Sequence, residues 1–127
     1  MQMRHIIIKV DDQDKALNFY TTILGFVKRL DVPMGPFRWL TVSAPDDVNG
    51  VESVLEPNSL PPALASQRAL YEGGFPAAIF STDDIHGEYE RLKGLGVAFR
   101  GEPDSSGPVT TVFFEDTCGN LINLVQS

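Results

Sequence analysis

The same strand–helix punctuation occurs twice in this chain, and a duplicated unit restricts the fold more than any single motif does. Residues 5–10 (His-Ile-Ile-Ile-Lys-Val) are rich in β-branched side chains and run into acidic residues, which predicts a strand. Asp12 is placed to cap a helix carrying Ala16, Leu17, Tyr20, Ile23, Leu24 and Val27 at helical spacing, with Gly25 as its stop. The order then recurs. Ala77 to Thr82 reads as a strand, Asp83 or Asp84 caps a helix carrying Ile85, Tyr89, Leu92 and Leu95, and Gly96 stops it. The stops Leu24-Gly25-Phe26 and Leu95-Gly96-Val97 lie 71 residues apart.

The segments after the two helices also match. Phe37 to Val42, a turn at Pro45-Asp46-Asp47, and Val51 to Glu56 come after the first. Val109 to Glu115, a turn from Asp116 to Asn120, and Leu121 to Gln126 come after the second. Each half reads β-α-β-β-β, with the second strands placed near Val27–Val32 and Val97–Arg100. The predicted class is α+β: two βαβββ modules forming a cupped, mostly antiparallel sheet with helices on its outer face. Module one covers about residues 1–57 and module two about 75–127, within one domain of 127 residues. The linker, about 58–74, is proline- and glycine-bearing, with room for a short helix from Ala63 to Tyr71.

A formal net charge of −7 argues against a nucleic-acid backbone as partner. The run Ile6-Ile7-Ile8 is too short for a signal-peptide core or a membrane span, so a soluble, cytoplasmic protein is expected. Cys118 is the single cysteine, which rules out an intrachain disulfide and fits a reducing compartment.

Strand alternation divides residues between a helix side and an open side. In the first strand Ile6, Ile8 and Val10 take the helix side, leaving His5, Ile7 and Lys9 open. In the last strand Ile122 and Leu124 take the helix side, leaving Asn123 and Val125. Trp39 and Thr41 line the cleft if Leu40 and Val42 meet the helix, and Thr111 and Phe113 are their second-half analogues. Concave, mostly apolar faces with a few polar groups are the usual small-molecule sites. Arg38 reads as a surface ion pair, Tyr20 and Tyr89 as core, and His86 as solvated.

The stretches His5 to Asp12, Ala16-Leu-Asn-Phe-Tyr20 and Leu24-Gly25-Phe26 resemble the opening of the vicinal oxygen chelate superfamily. That superfamily contains glyoxalase I, extradiol dioxygenases, and fosfomycin and bleomycin resistance proteins. Phe114-Glu-Asp116-Thr-Cys-Gly119-Asn-Leu-Ile-Asn123 resembles its usual Asp-Pro-Asp-Gly-Asn…Glu ending. In the metal-dependent members the resemblance implies two ligands from each half, holding a divalent ion that polarises vicinal oxygens. Carried over, the first-half ligands are His5 and a carboxylate on Val51–Glu56, either Glu56 or Glu52. The second-half positions fall on Ala77 or Pro76 and on Asn123, which cannot complete the set.

The expected ligand pocket is therefore His5, Trp39, Thr41, Glu56, Thr111, Phe113 and Asn123, with His5 and Glu56 as an incomplete metal pair. No cofactor is required, and a divalent metal is the one left open. The resemblance also implies a homodimer. The expected function is binding of a small organic molecule, either sequestered or acted on by acid–base chemistry with His5 and Glu56. The rivals are a metal-dependent lyase, isomerase or dioxygenase, and a non-catalytic dimeric interaction module.

Overall fold

A computed structural model describes residues 1–47 and 49–127. The chain divides into two compact units, Met1–Ala65 and Ser66–Ser127. Both are mixed α+β; the first follows the β-α-β-β-β order the repeat predicts, and the second keeps that order with one strand fewer.

In the first unit β1 (His5–Val10) leads to α1 (Gln13–Asn18), whose N-cap Asp12 accepts a hydrogen bond from the Lys15 N–H at 3.1 Å. The helix then widens into a π-turn over Phe19–Ile23 rather than continuing as α to Val27. The Thr21 hydroxyl donates back to the Leu17 carbonyl at 2.6 Å, and the adjacent Phe19 and Tyr20 are both buried. Gly25, at φ +91°, reverses the chain into β2 (Val27–Met34). β3 (Phe37–Ser43) and β4 (Glu52–Pro57) complete a four-stranded sheet in the order β1-β4-β3-β2. β1 and β4 pair in parallel, β4 with β3 and β3 with β2 antiparallel.

The core of this unit is the helix side of the sheet, where Ile8, Val10, Leu40, Val42 and Leu55 meet Ala16, Phe19 and Tyr20, all buried. Gln13 ties α1 to two strands. Its amide donates to the Arg38 and Leu55 carbonyls, both at 2.8 Å, and accepts from the Arg38 N–H at 3.1 Å. Arg38 lies on this side too, paired with Asp31 at 3.0 Å and with Asp14. Those carboxylates raise its guanidinium pKa above the ordinary arginine value.

α2 (Pro61–Gly73) fills the middle of the predicted linker, with prolines in the first turn where a missing N–H costs nothing. In the second unit β5 (Ala78–Ser81), α3 (Ile85–Gly94), β6 (Thr110–Glu115) and β7 (Leu121–Gln126) form a three-stranded sheet, β5-β7-β6. Asp84 caps α3 by accepting from the Gly87 N–H at 2.9 Å, and Gly96 sits at φ +89°. Buried Ile85, Tyr89 and Leu92 pack this unit's core with Val112, Phe114, Ile122 and Leu124.

The strand expected at Val97–Arg100 is absent as a strand. Residues 98–104 run beside β6 through single bridges, Phe99 to Phe114 and Asp104 to Thr111. Gly101, at φ +114°, and Pro103, which has no N–H to donate, interrupt the ladder between them.

Candidate functional site

The register of the first unit assembles its open face residue by residue. His5 lies beside Glu52, Ile7 beside Val54 and Lys9 beside Glu56. Thr41 pairs with Val54 and Ser43 with Glu52, while Leu30, Val32 and Met34 pair with Thr41, Trp39 and Phe37. Paired residues share a side of a sheet, so this set forms one surface opposite α1.

The surface is apolar over much of its extent and open. Ile7 is 56% exposed, Leu30 and Val32 46% each, Met34 49% and Phe37 36%. The His5 and Trp39 rings meet edge to face with centroids 5.5 Å apart. Thr41, fully buried, donates to a Glu52 carboxylate oxygen at 2.6 Å and accepts from the Leu30 N–H at 3.2 Å. Lys9 Nζ lies 2.6 Å from Glu56 Oε2, each side chain about one-third exposed. At that exposure the pair contributes roughly 1 kcal/mol or less to stability, so stability alone is a weak account of it.

The second unit has an open face of its own. Phe113 sits beside Asn123, and Thr111 beside Val125. The Thr111 hydroxyl donates to the Asn123 carboxamide oxygen, and the Asn123 amide N–H groups carry no hydrogen bond among the described residues. Tyr71 donates to Glu115, and Arg100 lies 3.8 Å from that carboxylate and 5.2 Å from the Tyr71 ring centre. A separate depression of about 330 Å³ is lined by Ile85, His86, Pro108, Thr110 and Gln126 at the start of α3.

Each sequence-derived residue thus has a definite place. His5, Trp39, Thr41 and Glu56 share the open face of the first unit, and Thr111, Phe113 and Asn123 that of the second. His5 is level with Glu52, whereas Glu56 is level with Lys9, four residues along the strand. No three His, Cys, Asp or Glu side chains among the described residues are grouped to hold one metal ion. In the second unit Ile79 lies beside Asn123 as Ile7 lies beside Val54. Leu30, Val32 and Met34 were missing from the expected set. Their alternation within residues 27–34 was the available signal, weakened by Pro33 in the middle of that run.

Residues 2–124 match the sequence profile of the Glyoxalase/Bleomycin resistance protein/Dioxygenase superfamily. The chain belongs to that superfamily. The Bacillus subtilis protein YurT is 54% identical over 119 residues, covering 94% of both chains. The lactoylglutathione lyase of Neisseria meningitidis serogroup A is 28% identical over 130 residues, covering 99% of this chain and 91% of its own. Among solved structures, UcmS2 is similar at a TM-score of 0.86 and 33% identity, with 100% of this chain and 98% of that one covered. TnmS3, described as an antibiotic binding protein from Streptomyces sp. CB03234, matches at 0.76 and 28%, covering 99% and 95%. Among the described residues, no helix is long and apolar enough to cross a membrane.

Proposed function

We propose that this superfamily member binds a small, flat, largely apolar organic molecule on the open face of its first unit, and does so without a complete metal site. The observation that carries this reading is the edge-to-face His5–Trp39 pair set among the exposed side chains of Ile7, Leu30, Val32, Met34 and Phe37. A contiguous open apolar surface around aromatic rings suits an aromatic ligand. Glu52, held by the buried Thr41 hydroxyl, and Glu56 supply the polar contacts that would fix its orientation. On the second unit, Phe113 and the free amide donors of Asn123, oriented by Thr111, offer a contact of the same kind. The description of TnmS3 as antibiotic binding supports the same ligand class.

The donors do not fit the metal of the enzymatic relatives. Glu56 is engaged by Lys9, His5 stands level with Glu52 instead, and Ala77 and Asn123 offer neither imidazole nor carboxylate. Pairing of two copies in a cytoplasmic setting belongs to the same reading, and light scattering coupled to size exclusion tests the pairing.

Trp39 is the single tryptophan, so its fluorescence reports this face without labelling. Titration with a panel of small aromatic antibiotics should quench or shift that emission. A compound held at 100 times its Kd should add about 2.7 kcal/mol to unfolding stability. Trp39→Ala should abolish the added stability. Stoichiometric divalent metal retained after purification without chelator would instead favour a metal-dependent lyase.

A further inference from the structure

Lys9 and Glu56 are the oppositely charged pair that the open face builds from adjacent strands. Lys9 is four residues after His5 on β1, and register sets it directly beside Glu56 on β4. Their side chains meet at 2.6 Å on the side of the sheet that carries Trp39, not on the side that packs α1. The other acidic group on this face, Glu52, is bonded to the buried hydroxyl of Thr41. Among the described residues the face therefore holds two carboxylates, and Lys9 is the cation in direct contact with one of them. A divalent ion approaching Glu56 would have to displace the ammonium or sit against it, and like charges at contact distance repel.

We propose that Lys9 is the resident cation of this site: it takes the position at Glu56 that a metal would need, and it makes the pair select metal-free ligands bearing an O–H or N–H donor. This rests on the ligand-binding function proposed for this face and names the polar feature of that ligand. Lys9 engages Glu56 Oε2, and Oε1 carries no hydrogen bond or ion pair among the described residues. Oε1 is thus the acceptor for a donor on a flat ligand lying against Trp39. Lys9 here is a positioning residue. It holds Glu56 in place through the Oε2 contact, and the charge of the pair remains balanced when a neutral ligand binds.

Two measurements test this, and they separate its failure from that of the binding reading. The first is calorimetric titration of Ni²⁺ into the wild type, Lys9→Met, Lys9→Arg and the double variant Lys9→Met/Glu56→Ala. Lys9→Met should bind Ni²⁺ about tenfold more tightly than the wild type, with Lys9→Arg restoring the weak binding and loss of Glu56 cancelling the gain. Lys9→Gln serves the same comparison if Lys9→Met does not fold. Equal Ni²⁺ affinity in the wild type and the neutral variants overturns the proposal, whether or not any organic ligand has been found.

The second measurement tracks the Trp39 indole N–H resonance against 2-naphthol and 2-methoxynaphthalene, which share a frame and differ in the donor. The wild type should prefer 2-naphthol by about tenfold, a difference equivalent to one charge-assisted hydrogen bond, and Glu56→Ala should lose the preference. Equal binding of the two probes by the wild type also overturns the proposal. Failure of both probes to perturb Trp39 counts against the binding reading for this ligand class, and the Ni²⁺ comparison then decides the role of Lys9.

Discussion

The two units share a plan and use their polar groups differently. In the first, charged and aromatic side chains stand on the open face: His5 against Trp39, Lys9 against Glu56, Glu52 against Thr41. In the second, polar groups mostly hold the unit together. Asp116, fully buried, accepts from the Cys118 N–H at 2.8 Å, the Asn120 N–H at 3.0 Å and the Asn120 side-chain amide at 2.8 Å. Gln67 on α2, also buried, donates to the Cys118 carbonyl and to the Asn120 side-chain oxygen, both at 3.1 Å. A duplicated fold can thus keep charged and aromatic side chains on the open face of one half while the other turns several of its polar side chains inward.

The largest expected effect attacks that contrast directly. Asp116→Ala leaves several buried donors without an acceptor and should cost about 3 kcal/mol or more in urea unfolding. Asp47→Ala, in the exposed turn of the first unit, should stay within about 0.5 kcal/mol. Comparable losses at the two turns would show that the units do not differ in this way.

A smaller, symmetric effect is expected at the helix stops. Gly25 and Gly96 sit at φ +91° and +89°, where a Cβ meets no neighbouring atom within 4 Å but the backbone itself resists a side chain. Alanine at either position should therefore cost about 1–2 kcal/mol in thermal unfolding, and by a similar amount at both. Unequal costs would separate two positions that the repeat makes equivalent.

The smallest effect concerns the interrupted edge of the second unit. The Asp104 carboxyl accepts from the Ser106 N–H at 2.9 Å and from its hydroxyl, which hold it below the usual carboxylate range. A carboxyl depressed on folding favours the folded state above its unfolded pKa and loses that contribution as pH falls through the folded value. Asp104 is fully exposed, so an NMR titration of its side chain is the measurement to make. In Ser106→Pro, which removes both donors, that titration should return to the ordinary range.

Much of this architecture was legible in the residues themselves. Asp12, Asp84, Gly25 and Gly96 announce helix ends through chemistry that acts within a few residues. Alternation likewise sorts Ile8 and Val10 from Ile7 and Lys9 with no knowledge of the partner strand. Register is not local. That Lys9 stands beside Glu56, and His5 beside Glu52, depends on how β1 slides along β4, so the choice between the two glutamates stayed open. The π-turn after Asn18 was hidden because Leu17, Tyr20 and Leu24 satisfy an α-helical spacing equally well. The missing strand near residue 98 turns on Gly101 and Pro103, which lie just beyond the run that looked strand-like.

β2 ends the order of its sheet, and all eight of its residues are exposed. Its ladder is broken by a register shift between Lys28 and Leu30, and Pro33 removes one of its donors. Lys28, Arg29 and Asp31 add charge to the same strand. Fibril growth requires a flat, unbroken row of backbone donors and acceptors onto which another chain can stack. The strand that carries Leu30, Val32 and Met34 outward is a poor template of that kind, so the protein can display an oily surface with little risk of seeding its own aggregation.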